Sequence, residues 1–233
     1  MKINYAGKCL LIEDNGERIL VIGDLHLGYE GALREGGMQV PLGLYKQIIK
    51  DLDEIYYFVV NKFSNKKEKI RSYLNKNMKL INKMNNDRLV FGSNVKNINN
   101  NANKNIQLNE KLDKIIILGD VKHEFGTILK EEWQEIIGFI EHLKERCKEL
   151  VVIEGNHDKI LFPILRKMGI IGSDLYIWKE FAFMHGDKDF EEIYDKKIKY
   201  WIVGHGHPAV TLQDKVKKEK YKCFLAGSYK RKK

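Results

Sequence analysis

The sequence predicts a mixed α/β protein with more than one sheet packed in layers. Three observations carry this. Short apolar runs recur along the chain, and four of them lead into Gly followed by Asp, Asn or His. In the first part these runs alternate with stretches whose apolar residues fall at helical, three- and four-residue steps. In the last part they follow one another with only turn residues between them, as hairpins do.

Taken in order, Cys9-Leu10-Leu11-Ile12 is the first run, and Asn15-Gly16 after it is a tight hairpin signal. Ile19-Leu20-Val21-Ile22-Gly23 is apolar on both faces, as a buried strand requires, and it stops at Asp24. A helix is expected after Pro41, a residue suited to a first turn. Leu44, Ile48, Leu52, Ile55 and Val59 form its apolar face. From Asn61 to about Leu112 the periodicity fails, and Asn94 to Asn105 is a low-complexity polar stretch. Residues 61–112 are therefore expected to be an insertion in a surface loop, largely flexible, with some helix near Ile70 to Met84. Order resumes at Lys114-Ile115-Ile116-Ile117-Leu118-Gly119, a buried strand ending at Asp120. A helix from about Ile128 to Cys147 turns Trp133, Ile136, Ile140 and Leu143 inward, which places His142 on the solvent side. Leu150 to Ile153 is the next strand. Short strands follow near Leu175 to Trp178 and Phe181 to Met184, then a buried run at Tyr200 to Val203, then Ala209 to Leu212 and Tyr221 to Leu225.

A length of 233 residues suits one sizeable core, read here as a single domain spanning 1–233. No apolar stretch approaches the roughly 18 residues of a membrane helix, and no signal peptide is read at the N-terminus. Cys9, Cys147 and Cys223 are too scattered for a disulfide framework or a CxxC site, so a reducing, cytoplasmic setting is expected. The net charge of +9 is unevenly spread. Residues 1–60 carry 6 basic and 9 acidic side chains, and residues 111–214 carry 15 and 19. Residues 61–110 carry 11 and 3, and residues 215–233 carry 9 and 1. The excess lies in the insertion and the tail. It is either a polyanion-binding charge or solvated Lys/Asn bias; the second reading is preferred for the insertion, and the tail is open.

The chemistry lies in five clusters at the ends of apolar runs: Asp24-Leu25-His26, Gly119-Asp120, Gly155-Asn156-His157-Asp158, His185-Gly186-Asp187 and Gly204-His205-Gly206-His207. One Asp or His at a strand end is usually a cap or turn residue. Five such clusters in order argue for a metal site built where strand ends converge. Two carboxylates, an amide and several imidazoles with no thiolate suit Mn, Fe or Zn, and a set this numerous can hold two ions. Asp158 and Asp187 are read as turn or helix caps. Glu30, Arg34 and Glu124 are read either as supports of the site or as ordinary surface.

Asp24-X-His26, Gly119-Asp120, Gly155-Asn156-His157-Asp158, His185 and Gly204-His205-X-His207-Pro208 resemble the ordered signature of the calcineurin-like metallophosphoesterases. Asp24-Leu25-His26-Leu27-Gly28-Tyr29-Glu30 and Gly119-Asp120-Val121-Lys122-His123-Glu124-Phe125 resemble an archaeal and bacterial branch that includes the DNA-ligase-associated enzymes. The resemblance implies a layered α-β-β-α sandwich of two mixed sheets. It implies two divalent metal ions, Mn first, with Fe, Zn or Ni as alternatives. Asp24, His26 and His207 would hold one ion, Asn156, His185 and His205 the other, and Asp120 both. A hydroxide bridging the ions would attack the phosphorus in line. His157 would face the substrate phosphate and assist the leaving oxygen. Many members carry Asp three residues after the bridging Asp; here it is His123, as in the double-strand-break repair nucleases of the superfamily, where a second histidine contacts phosphate. Related chains also continue with further strands after the one near Phe224, which leaves a sheet edge here incomplete or covered by a partner. The expected activity is hydrolysis of a phosphodiester, with nucleic acid as a candidate substrate. A phosphomonoesterase on small metabolites and a non-catalytic scaffold are the alternatives.

Overall fold

The computed structural model describes residues 1–63, 110–123 and 130–229. The helix expected near residues 70–84, the insertion from 64 to 109, residues 124–129 with Glu124, and residues 230–233 lie outside them.

The main sheet has six strands in sequence order: β1 (Lys2–Ala6), β2 (Cys9–Asp14), β3 (Glu17–Ile22), β4 (Leu112–Ile117), β5 (Cys147–Ile153) and β6 (Ile171–Ser173). The first three form an antiparallel meander, and β3 to β6 run parallel. Asn15 and Gly16 both take positive φ, 48° and 86°, so the expected tight turn closes the β2–β3 hairpin. Parallel strands need crossovers, and helices supply them: α1 (Tyr29–Glu35) and α2 (Leu44–Phe63) between β3 and β4, α3 (Lys130–Lys144) between β4 and β5, and α4 (Phe162–Lys167) between β5 and β6. Because β3, β4 and β5 point the same way, their C-terminal ends share one edge of the sheet. That geometry places Asp24, Asp120 and Asn156 together.

The parity of the strands sorts the core into layers. Leu20, Ile22, Ile115, Ile117 and Val152 face α2 and α3, packing with Leu52, Val59, Ile136, Phe139 and Ile140. The alternate residues, Ile19, Val21, Ile116, Leu118, Val151 and Ile153, pack against Phe181 and Phe183 of a second sheet. That sheet is β7 (Leu175–Trp178), β8 (Phe181–Met184) and β9 (Tyr200–Val203), with β7 and β8 antiparallel and β8 and β9 parallel. Its outer face, Ala182 and Met184, is covered by Ile193 of a short 3-10 helix (Glu191–Tyr194) and by Ile198. The order is therefore helices, sheet, sheet and a thin outer layer. β10 (Ala209–Gln213) and β11 (Lys218–Lys222) form a separate antiparallel hairpin. No helix among the described residues is long and apolar enough to cross a membrane.

Several expectations are corrected. β9 follows β8 in parallel through a crossover, not as a hairpin. It is an edge strand that pairs only with β8, so the expected buried run Tyr200 to Val203 is only half-buried, with Val203 47% exposed. The last strand ends at Lys222, short of the expected Leu225. α2 begins at Leu44, so Pro41 precedes the helix instead of opening it, and the helix runs to Phe63, past the expected start of the insertion. The carboxylate of Glu30 accepts hydrogen bonds from the backbone N–H groups of Gly43 and Leu44, which gives the N-terminus of α2 its cap from another helix. Arg34 donates to the Val40 carbonyl. Both residues hold the α1–α2 connection. His142 is half-buried, not in solvent: its Nε2 lies 2.9 Å from Asp53 Oδ1, which also takes Arg146. α3 has the sheet on one side and α2 on another, so the side opposite the core stripe is not free.

Candidate metal centre

The backbone around the clusters is built from the main chain outward. After Asp24 the ends of β3 and β4 zip together again: His26 N–H donates to the Asp120 carbonyl at 2.9 Å, Leu27 N–H to Val121 at 2.8 Å, and His123 N–H back to Leu27 at 2.9 Å. Gly119 and Gly155 face each other where the β4 and β5 ends cross. A Cβ on Gly119 (φ 90°) would meet Gly155 Cα and His185 Nδ1 at 2.8 Å, and one on Gly155 would strike Asp120. Only glycine permits that approach.

Seven non-glycine residues among those described have positive φ, and five of them are Asp24 (33°), His26 (48°), Asp120 (47°), His205 (60°) and His207 (40°). Left-handed backbone costs of the order of 1–3 kcal/mol per residue and collects where function over-determines geometry. Asp and His tolerate it better than β-branched residues. Of the expected metal ligands, these five share that strain.

The side chains of these clusters lie close together. His26 Nε2 lies 3.3 Å from His207 Nε2 and 3.8 Å from Asp120 Oδ2. On the other side of Asp120, His185 Nε2 lies 3.3 Å from the same Oδ2, 3.0 Å from Asn156 Oδ1 and 3.0 Å from His205 Nδ1. Asp24 reaches both groups, with Oδ2 3.6 Å from His207 Nε2 and Oδ1 3.7 Å from His185 Nδ1. Two donor triads result, His26–Asp120–His207 and Asp120–His185–His205, and Asp120 belongs to both. Atoms bonded at about 2.0–2.2 Å to one cation lie roughly 3–3.6 Å from each other. The contacts of His26 with His207 and of His185 with Asp120, Asn156 and His205, at 3.0–3.3 Å, match that edge length, and the His26–Asp120 contact at 3.8 Å is slightly longer.

The protons agree with this reading. A carbonyl can only accept, so His185 donates from Nδ1 to Leu118 O at 2.7 Å, which leaves Nε2 facing Asp120, Asn156 and His205. Such an anchored outer nitrogen is the usual support for a metal-binding imidazole. Burial, reinforced by the neighbouring imidazoles and opposed by Asp120, pushes His26 down to about 4 and keeps it neutral, the ligating form. Burial would raise the Asp120 carboxyl and lower His185, yet their mutual contact wins in both, holding Asp120 below and His185 above its ordinary value. A cation at His185 Nε2 needs that nitrogen deprotonated, so metal binding should be coupled to proton release there. Among the described residues the buried nitrogens without a hydrogen-bond partner are His26 Nδ1, His123 Nδ1 and Lys122 Nζ. All three lie in the two ligand loops, and orphaned buried polar atoms are rare away from functional sites. The donor set fits two divalent cations.

A family model for calcineurin-like phosphoesterases matches residues 17–226. The chain belongs to this family. It is a hydrolase acting on phosphoester bonds and a metal-binding protein of that family. Among solved structures, this calcineurin-like phosphoesterase is similar to the crystal structure of Pseudomonas putida nuclease MPE, at 14% identity and a TM-score of 0.41, over 86% of this chain and 74% of that one. A comparison with curated proteins found no match.

His157 and His123 stand beside the triads of this phosphoesterase. His157 Nε2 lies 3.9 Å from Asp120 Oδ2, and its Nδ1 donates to the backbone carbonyl of His123. The partner of His157 Nδ1 is therefore a main-chain oxygen of residue 123, not a side-chain carboxylate. The His123 ring stacks near His157 at 6.2 Å between centroids and meets Tyr29 edge-on at 4.8 Å. Asp187 is exposed in the turn after β8 and joins neither triad.

Asp158 does more than cap a turn. It is fully buried and accepts from the backbone N–H groups of Val121 (3.0 Å), Lys122 (3.2 Å) and Gly155 (3.2 Å), so one carboxylate ties the Asp120 loop to the Asn156–His157 loop. Burial, only partly offset by these bonds, raises its carboxyl to about 6. Two residues of α3 that the sequence reading passed over complete the support: buried Glu132 accepts from His123 N–H at 3.1 Å and Glu135 from Gly28 N–H at 3.3 Å. Glu132 shares a helical stripe with Ile136, Phe139 and Leu143, so an acid in an apolar phase was the available signal. Asp158→Ala is expected to lower stability by about 1–3 kcal/mol for each buried N–H left unpaired, and to reduce metal loading less than a ligand substitution does. Denaturant midpoints and metal content check this; an unchanged midpoint would show that the loops hold each other without it.

Proposed function

We propose that this chain hydrolyses phosphodiesters at a two-metal centre, with Asp24, His26 and His207 on one ion, Asn156, His185 and His205 on the other, and Asp120 shared. The single observation that carries the reading is the pair of donor triads meeting at Asp120. Two divalent cations held there, Mn first among the candidates, would supply an activated water and neutralise phosphoryl charge. The chain's own groups do the rest. Asp120 and Asp24 provide the negative charge that keeps dications in place. His157, fixed through Nδ1, presents Nε2 beside Asp120, the position from which it can give a proton to the departing oxygen. His123, whose ring stacks near His157, would contact a phosphate oxygen on the same side.

The diester preference is supported by the openness of the centre: His205 and His207 are exposed, so a substrate can extend past the ions on that side. A nucleic-acid strand is such a substrate. The test is a panel of aryl phosphomonoesters, aryl phosphodiesters, cyclic nucleotides and single- and double-stranded DNA, each with Mn and with a chelator. Diesters are expected to turn over fastest, with all activity lost to the chelator. Turnover confined to monoesters would replace this reading with that of a metabolite phosphatase.

A further inference from the structure

The β10–β11 hairpin sorts its charges by face. Its register sets Lys218, Lys220 and Lys222 opposite Gln213, Thr211 and Ala209, and side chains alternate faces along a strand. One face therefore carries three lysines in a row with a hydroxyl and an amide beside them, and no acid. The acid of β11, Glu219, lies on the opposite face, bonded to Lys217 and to the Tyr221 hydroxyl. Lys218, Lys220 and Lys222 are exposed, and none has a hydrogen-bonded or ion-paired partner among the described residues.

From this face we infer a docking strip for the phosphate backbone of a nucleic-acid strand. The inference rests on the phosphodiesterase reading and specifies where its substrate lies. Alternate residues of a strand are about 6.7 Å apart, a step close to that between successive phosphates. The row can thus meet neighbouring phosphates in register, with Thr211 and Gln213 as added hydrogen-bond donors. The hairpin is rooted at the metal centre. It opens directly after Pro208, the residue following His207, and it is closed there by Cys223 N–H on Pro208 O at 2.9 Å. Past that root, the Phe224 ring packs on Tyr5 of β1, with centroids 4.9 Å apart. The row begins at that root, because Lys222 pairs with Ala209, two residues after His207. The charge contrast favours a polyanion at this place: residues 111–214 carry 15 basic and 19 acidic side chains, whereas residues 209–229 carry the basic Lys215, Lys217, Lys218, Lys220 and Lys222 against the acidic Asp214 and Glu219.

The experiment measures the anisotropy of a labelled oligothymidylate with the full chain in chelator, across a salt series. The triple variant Lys218→Gln, Lys220→Gln, Lys222→Gln is compared with wild type and with a charge-matched control, Lys46→Gln, Lys50→Gln, Lys167→Gln, whose lysines are exposed elsewhere. The strip triple should bind more weakly, and its slope of log affinity against log salt should flatten by about 2, three contacts at roughly 0.7 each. The control should stay close to wild type. Hydrolysis of an aryl phosphodiester with Mn should be unchanged in both variants, showing that fold and centre are intact. Equal losses in the two variants, or none in either, would overturn the strip in favour of diffuse charge or bare solvation. If the strip triple alone loses binding but wild type cleaves no diester, the strip stands and the phosphodiesterase reading fails. If wild type cleaves diesters and the triple binds DNA normally, the reading stands and the strip fails.

Discussion

Asp120→Asn is expected to remove nearly all hydrolysis while leaving the fold intact. The Oδ2 atom lies within 3.3–3.9 Å of nitrogens from His26, His157 and His185, and the residue belongs to both donor triads. Replacing the carboxylate by an amide removes one negative charge from the place where two dications would meet. Loss of one preorganised electrostatic group typically costs about 10²–10³ in rate, and weaker binding of both ions adds to that. Asn is the right replacement because position 120 has φ 47°, a conformation Asn tolerates. Its Oδ1 can also keep the hydrogen bond from His157 N–H. Thermal melts in chelator should stay cooperative and close to wild type, because bound metal itself stabilises the fold, whereas metal analysis after Mn loading should fall from about two ions per chain, the number a two-metal mechanism requires. A wild-type protein that takes up only traces of transition metal would end the assignment. A variant that keeps both ions and full activity would remove Asp120 from the bridge.

His157→Ala should retain both ions and lose roughly 10²–10⁴ in rate, the usual scale for a general acid. His157 sits outside both triads, and its orientation comes from Nδ1 bonding to the His123 carbonyl. The loss should shrink for a nitrophenolate leaving group, which needs little proton help, and grow for an alkoxide. An equal loss for both would assign His157 to stabilising phosphoryl charge instead. His123→Ala separates the two histidines. The carbonyl that orients His157 belongs to the main chain and survives the substitution. Any loss in that variant therefore measures the His123 side chain alone, through its effect on KM or kcat. An identical leaving-group pattern in both variants would show that the rings act as one unit.

The sequence by itself determined the chemistry and much of the frame. Apolar runs that end in Gly-Asp or Gly-Asn-His mark strands and strand ends directly, because burial on both faces and a sudden change to polar residues are local properties. The donor-type residues Asp24, His26, Asp120, Asn156, His185, His205 and His207 stand out for the same reason, and their order carried the family. Only the tertiary structure decided what depends on distant partners. The left-handed backbone at Asp24, His26, Asp120, His205 and His207 is set by the packing of neighbouring loops, not by residue preference. The supporting roles of Asp158, Glu132 and Glu30 exist because each carboxylate meets backbone N–H groups from another loop or helix. His142, expected in solvent, is paired because α2 covers a side of α3 that helical phase alone leaves open. The lysines of β11 looked like an unsorted basic tail until strand register divided them by face. Periodicity along one segment records what that segment buries; it holds no record of which other segment arrives to bond it, and bonding between segments brings the donor side chains together.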